Sequence, residues 1–390
     1  MNRSHKKQLL LVGGGHAHMT VMSKLHHYTR LGHHVTLISL YPYHYYSGMG
    51  PGLLSGIYRP EEVRFHVQKV VEDRGGTFVQ GSVVRVDPKR RVLFLNSGEE
   101  VRYDVVSFNV GSHVLADSAP VSDPNVYAAK PVQNLFKARQ AILESGHMGE
   151  RRLVVVGGGP SAMEISGNLW KLVHDNGIAA KVTLLAGRKL LSRFPEKLRK
   201  LAILSFKERG IEVTEGERVG RIVSGHAFLE DGCDYPFDFL FLAWGIRPPA
   251  LFEESGLPVG EDGGLLVNNY LQSVAFPEIF GGGDCISLQG RHLDKVGVYA
   301  VRQNPILYHN LMAALDGGKM KRFDTDEVYL LLFNLGDGKA IFRRKGWIWC
   351  SRFNFLLKDY IDRRFMKKFQ VSGELSEQSP YKSFEASESA

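Results

Sequence analysis

Leu9-Leu10-Leu11-Val12-Gly13-Gly14-Gly15-His16-Ala17-His18 and Leu153-Val154-Val155-Val156-Gly157-Gly158-Gly159-Pro160-Ser161-Ala162 deliver the same pattern twice. Each is an apolar run of strand type that stops at a glycine cluster and enters a helical pattern. Each is followed by a returning strand, at residues 35–39 and 182–186. That is the strand–loop–helix–strand order of a dinucleotide-binding unit. Glycine is needed because the loop turns tightly and a pyrophosphate must approach its backbone. The helix N-terminus then offers free N–H groups to the phosphates. One such loop is weak evidence. Two matched copies, each with its returning strand, predict two nucleotides in one chain.

Other motifs repeat with them. Tyr103-Asp104 opens an apolar strand that ends at Gly111, and Phe237-Asp238 opens one that ends at Gly245. The layout of the first half therefore recurs in the second, as an internal duplication. Residues 41–52 form a Gly/Pro/aromatic loop, too irregular for helix or strand; it suits wrapping a flat ring or packing on the surface. Residues 76–81 and 91–95 read as short strands of an antiparallel insertion joined by Asp87-Pro88. Residues 279–285 form a short strand running into a glycine turn with an acid, and a helical pattern covers 296–315. Residues 347–369 read as one amphipathic helix rich in aromatics and bases. The Ser/Glu-rich stretch 372–390 reads as a disordered tail.

Composition narrows the class. A chain of 390 residues has room for two or three domain cores, and 44% hydrophobic with 23% charged residues is ordinary for a globular protein. No apolar run approaches the roughly 18–20 residues of a membrane span. Three cysteines exclude a disulfide framework and fit a reducing compartment. The polar start reaches the first strand without a signal-peptide pattern. The expected location is cytoplasmic. The net charge of +8 serves solubility or an acidic partner, such as the anionic inner face of the cell membrane. The paired histidines His26-His27 and His33-His34 lack zinc-ligand spacing, so no metal is expected, and no nucleic-acid partner.

In this order and spacing, the motifs resemble the two-dinucleotide-binding flavoprotein reductases, the pyridine nucleotide-disulfide oxidoreductase superfamily, over about residues 9–315. The C-terminal extension and the Tyr46-Ser47-Gly48-Met49 loop look like its type II NADH:quinone dehydrogenase and sulfide:quinone reductase branch. They look most like a bacterial subgroup associated with selenophosphate synthetase fusions. The resemblance implies an α/β fold with two Rossmann-like three-layer nucleotide-binding domains, the second inserted in the first, plus a C-terminal appendage. Its implied layout is an FAD domain at 1–125 and 245–320, an NAD(P)H domain at 126–244, and a membrane- or dimer-facing region at 321–371.

The resemblance also implies site residues. FAD falls on Gly13, Gly15, His16, Ser39, Ser47, Gly48, Met49, Val83, Gly111, Gly283, Asp284 and Gly297. NADH or NADPH falls on Gly157, Gly159, Ala162 and Arg188, with Glu164 and Lys295 as the catalytic pair. A carboxylate at Glu164 would lie beside nicotinamide and flavin, to orient the carboxamide and relay protons.

Several positions depart from the pattern. His18 stands where Gly or Ala is usual, and its bulk is expected to loosen helix–strand packing. His16 and His18 are either donors to the FAD phosphates or packing residues. Ser39 replaces the acid that normally grips the adenosine ribose. Ala186-Gly187-Arg188 likewise lacks the acid and adds a base, a pattern that accommodates a 2′-phosphate; the alternative is an arginine on a solvated loop. None of Cys233, Cys285 and Cys350 forms a recognisable pair, which disfavours a disulfide relay. Val298 and Arg302 stand where quinone enzymes of this branch carry glutamines. The expected reaction is hydride transfer from NAD(P)H to FAD, then electron transfer to a quinone-like small acceptor. The alternatives are a reductase linked to selenium or sulfur metabolism and a nucleotide-binding redox sensor without turnover. The C-terminal helix is expected to meet an anionic membrane surface, with a homodimer interface as the alternative.

Overall fold

The computed structural model describes residues 6–114, 123–146, 149–324 and 329–376. Two five-stranded parallel sheets organise it. The first runs Ile279–Gly281, Val105–Phe108, Gln8–Val12, His34–Ser39, Thr77–Gln80. The second runs Val126–Ala128, Phe239–Leu242, Arg151–Val156, Ala180–Leu185, Glu212–Thr214. The central strands are unbroken apolar runs because helices and other elements cover both faces, leaving no wet side to alternate toward. Each sheet has its own apolar core.

The duplicated aromatic–Asp motif has a shared mechanical role. Asp104 accepts the backbone N–H of Gln8 at 2.7 Å, and Asp238 accepts that of Arg152 at 2.7 Å. In each half the carboxylate holds the start of the first strand beside the closing strand. Each half also carries a three-stranded antiparallel excursion: Val83–Asp87, Val92–Leu95 and Glu100–Arg102 in one, Val219–Val223, His226–Leu229 and Asp234–Pro236 in the other.

Three sequence expectations need correction. Thr77–Gln80 is not part of an antiparallel insertion; it pairs in parallel with His34–Ser39 as the edge of the main sheet. The 41–52 loop is ordered as the strand Tyr43–Tyr45, the 3-10 turn Ser47–Met49 and the helix Gly50–Ser55. Its strand is short because it has a single partner, Arg64–His66. Residues 347–369 are not one helix. Trp347–Ser351 is the third strand of an antiparallel sheet with Leu331–Asn334 and Ala340–Arg344, and the helix is Arg352–Phe369. Ser351 makes the switch, its Oγ accepting Asn354 N–H as an N-cap.

This C-terminal sheet packs on the helix Pro160–Asp175. Gly167 and Gly336 meet there so closely that a Cβ on either would overlap the other segment's backbone. Of the expected disordered tail, residues 372–376 are packed: Glu374 is buried and accepts the N–H groups of His66 and Ser372. Residues 377–390 lie outside the described residues.

Candidate active site

One continuous cleft of about 2280 Å³ touches both glycine loops. A single-ligand pocket holds roughly 300–1,000 Å³, so this space suits more than one ligand. At the first loop, Gly13 has a left-handed φ of 87°, and a Cβ there would overlap the Asn109 carbonyl. A Cβ on Gly15 would lie 2.7 Å from Asn109 Oδ1. The loop is thus pressed onto the closing strand's end, leaving its other side to the cleft. His16, His44 and Asn109 line the cleft, and His16 Nε2, His44 Nε2 and Asn109 Nδ2 are buried there with no hydrogen-bond partner. Burying unpaired polar atoms is costly, so these three suit a ligand carrying hydrogen-bonding groups. A phosphate- and hydroxyl-bearing flavin nucleotide fits that description.

Ser39, Ser47, Gly48, Val83, Gly111, Gly283, Asp284 and Gly297 all line the same cleft. Met49 does not: its side chain is buried in the first core. In the 3-10 turn Ser47–Met49 successive residues point about 120° apart, so Ser47 and Gly48 border the cleft while Met49, implied by the resemblance, turns into the core. The helix Gly297–Asp316 opens into the cleft with no side-chain cap, leaving its first N–H groups and positive dipole end available there. Asp284 is paired with Lys130 at 2.5 Å, and Ser112 donates to it at 3.1 Å. No motif flagged Lys130. Lys295 lines the cleft, but its ammonium is held by Asp262 at 2.6 Å and the Ile286 carbonyl at 2.5 Å.

His18 does not loosen the first loop. It is fully buried, with Nδ1 2.7 Å from the Gly13 carbonyl and Nε2 2.8 Å from Ser107 Oγ. A carbonyl only accepts, so Nδ1 carries the proton and Nε2 accepts from Ser107. The imidazole ties the glycine loop to the closing strand. Burial pulls its pKa down from 6.5 to about 4, against the opposing pull of the Gly13 carbonyl. It lies beneath the loop, with both ring nitrogens committed, and does not line the cleft.

At the second loop, Gly157 has φ 144° and a Cβ there would overlap the Ala243 carbonyl, whereas Gly159 faces open space. Arg188 lines the cleft. Ala162 does not; it is buried under the helix Pro160–Asp175 as packing. Glu164 projects from this helix into the cleft. Its Oε1 accepts Asn334 N–H at 2.7 Å. Burial pushes its carboxyl up from 4.5 to about 7, while Lys358 and the Asn334 N–H pull the other way.

Lys358 is the residue that sequence reading misplaced most. On the amphipathic helix read over 347–369, periodicity sets it opposite the Trp349, Phe353, Leu356 and Tyr360 stripe, on the solvent side. It is 7% exposed, and its Nζ donates to the Gly48 carbonyl at 2.7 Å and to Asp362 at 2.6 Å. Tyr46 donates to the other oxygen of Asp362 at 3.1 Å. The helix is turned inside out: Asn354, Lys358 and Asp362 face inward, while Phe353, Leu356 and Tyr360 are 60–68% exposed. The i, i+4, i+8 spacing of those inward polar residues was visible, but an isolated helix gives no reason to bury it.

The sequence profile of the pyridine nucleotide-disulphide oxidoreductase family matches residues 7–311. The chain belongs to that family. FAD and NAD(P)H are this oxidoreductase family's cofactors, and the two glycine loops fit them. The family member is similar to a probable NADH dehydrogenase of Dictyostelium discoideum, 25% identical over 245 residues, 55% of this chain and 54% of that protein. The matched region thus spans about half the length of that relative. Its fold is similar to that of the sulfide:quinone oxidoreductase of Aquifex aeolicus, with TM-score 0.77 and 17% identity over 94% of this chain and 92% of that one. It is also similar to NDH2 of Plasmodium falciparum in complex with NADH, with TM-score 0.76 and 14% identity over 95% and 98%. Among the described residues no helix is long and apolar enough to cross a membrane.

Proposed function

We propose that this protein takes hydride from NAD(P)H onto FAD and delivers the electrons to a quinone-like small acceptor. The observation that carries the acceptor class is the apolar part of the cleft lining contributed by the Gly297–Asp316 helix and the C-terminal segment. Val298, Val301, Leu330, Leu332, Ile361 and Phe365 line it, and Glu164 and Lys358 line the same cleft. An apolar wall with a few placed polar groups suits a flat ring bearing carbonyls.

FAD, when bound, supplies the two-electron store between donor and acceptor. The chain's own residues do the rest. The Gly13–Gly15 turn and His16 would hold the pyrophosphate side of FAD, and Asp284 with Lys130 would hold its sugar-alcohol side. The start of the Gly297–Asp316 helix would offer positive potential to the negative charge that a bound flavin gains on reduction. Glu164, with its carboxyl near 7, holds or releases a proton at working pH. Lys358 offers a fixed cation, positioned by Asp362, Tyr46 and the Gly48 carbonyl. The balance is one NAD(P)H, one proton and one acceptor giving NAD(P)+ and the two-electron-reduced, doubly protonated acceptor. The test is steady-state NAD(P)H oxidation by the FAD-loaded protein across quinones of differing tail length. Turnover that rises with tail length supports the reading. Turnover with none of them, alongside tight nucleotide binding, favours a redox sensor.

A membrane surface is the partner this reading implies. Phe353, Leu356 and Tyr360 are 68%, 63% and 60% exposed on one face of the C-terminal helix, and Trp347 of the adjoining strand is 73% exposed. Leaving such side chains in water forgoes about 1.5–3 kcal/mol each. Ile361 belongs both to this exposed group and to the cleft wall, so a bilayer-dissolved acceptor has a short way in. Exposed Arg352, Arg364 and Lys367 lie on the same helix and suit anionic headgroups. Cosedimentation with anionic and neutral liposomes at low and high salt checks it. Supernatant under every condition, with a dimer in solution, assigns the face to self-association.

A further inference from the structure

We propose that Asn168 is a positioning residue for Glu164, and that through it the C-terminal sheet becomes part of the proton-handling end of the cleft. This rests on the reading of Glu164 as the group that holds and releases the proton. Asn168 follows Glu164 by about one turn of the helix Pro160–Asp175 and is fully buried. Glu164 lines the cleft and Asn168 does not. The Asn168 Nδ2 donates to the Glu164 carbonyl at 2.8 Å and faces the Asn334 carbonyl at 3.5 Å. Carbonyls only accept, so the amide has one orientation, with Oδ1 on the other side. That oxygen accepts from Ser55 Oγ at 2.7 Å and from Asn334 Nδ2 at 3.2 Å.

Three segments therefore meet at one side chain. Ser55 ends the helix Gly50–Ser55, which follows the turn of cleft-lining Ser47 and Gly48. Asn334 ends the strand Leu331–Asn334 of the C-terminal sheet. At Asn334 the network reaches the carboxyl: the backbone N–H donates to Glu164 Oε1 at 2.7 Å. The Asn334 Oδ1 accepts Gly336 N–H at 2.9 Å, which shapes the turn that follows. Asn168 thus grips both sides of one contact, the main chain of Glu164 and the residue whose N–H meets the Glu164 carboxyl. An apolar side chain could fill the same space, but it would not fix where that N–H points. A buried polar network that is fully satisfied specifies one arrangement. The charged groups acting on Glu164 are Lys358, which favours the carboxylate, and Asp362, which disfavours it. Both come from the C-terminal helix, and Asn168 bonds to neither. The Asn334 N–H also favours the carboxylate, against burial, which favours the neutral acid. Loosening Asn334 therefore raises the carboxyl further.

Infrared titration of the FAD-loaded full chain reads this through the carboxyl band that Glu164→Gln removes. In the parent that band should fade near pH 7. Asn168→Ala should move the midpoint up by about one pH unit, the size expected when a hydrogen bond to a carboxylate is weakened. Asn334→Ala keeps the backbone N–H, loses the side-chain amide, and should move the midpoint the same way. The double variant should move it no further than the larger single one, because both act through one contact. Ser55→Ala removes one hydroxyl and should give a smaller shift in the same direction; with Asn334→Ala it decides the matter if Asn168→Ala does not fold. An unmoved midpoint in these variants overturns the proposal and leaves Asn168 as packing. A downward shift, full additivity in the double variant, or the lack of any band lost in Glu164→Gln overturns it as well. Failure of the acid–base reading looks different: Glu164→Gln would then turn over at the parental rate, whatever the infrared midpoint does.

Discussion

The two halves share one topology and differ in what locks the glycine loop. In the first, a buried imidazole bridges the Gly13 carbonyl and Ser107. In the second, the same position is Ala162, which packs without a polar bond. The titrating groups also pull in opposite directions: burial holds the His18 ring neutral down to about 4 and the Glu164 carboxyl protonated up to about 7. Duplication thus preserved the backbone path, where sterics leave little choice, and let the side chains around it diverge.

The largest effects come from the loops themselves. Gly13→Ala and Gly157→Ala each force a Cβ into a backbone carbonyl at a positive φ. Each should cost about 3 kcal/mol or more locally. Gly13→Ala is expected to lose FAD, read by absorbance after dialysis. Gly157→Ala should keep FAD and lose NAD(P)H, read by calorimetry. Loss of the same nucleotide from both variants would break the division of labour between the halves.

Next in size is Glu164→Gln, expected to lower turnover roughly 100-fold, as removal of a general acid–base does. In the parent, the rate of acceptor reduction should change near pH 7, following the Glu164 carboxyl. Lys358→Met removes a cation that pulls this carboxyl down, so the inflection should move upward. A pH profile unaltered by Lys358→Met would separate the two residues functionally.

His18→Ala should destabilise by about 2–4 kcal/mol, since it leaves a cavity and an unpaired Gly13 carbonyl. The pH dependence carries a definite sign. The ring's pKa is about 4 in the fold against 6.5 unfolded, so its neutral form is favoured by folding. That stability is full above pH 6.5 and is lost as pH falls from 6.5 toward 4. Glu164 runs the other way. Its folded value of about 7 exceeds 4.5, so its penalty is absent below 4.5 and grows as pH rises to about 7. Thermal unfolding across pH 4–8 for the parent, His18→Ala and Glu164→Gln checks both signs: the first variant should flatten the acid limb, the second the limb toward neutrality.

The smallest expected effect is Ala162→Gly, at about 1 kcal/mol from backbone freedom in a helix. A loss as large as that of His18→Ala would mean that Ala162 locks its loop as firmly as the imidazole does.

What the sequence determined by itself was the backbone plan. Apolar runs ending in glycine specify parallel strands and tight turns because those constraints act within a few residues. The same locality marks Gly13 and Gly157 as loop glycines, whereas Glu164, Gly283 and Gly297 became site candidates through the family resemblance of the motifs around them. Tertiary structure decided which side chains turn toward the cleft. Met49 turned into the core, His18 became a tie beneath the loop, and Lys358 and Asp362 left the solvent face that helix periodicity had given them. Lys358 turns inward because Gly48, Asp362 and Tyr46 are waiting there, brought from up to 310 residues away in the chain. A charge is buried only where partners offset its desolvation, and those partners exist only once the chain has folded.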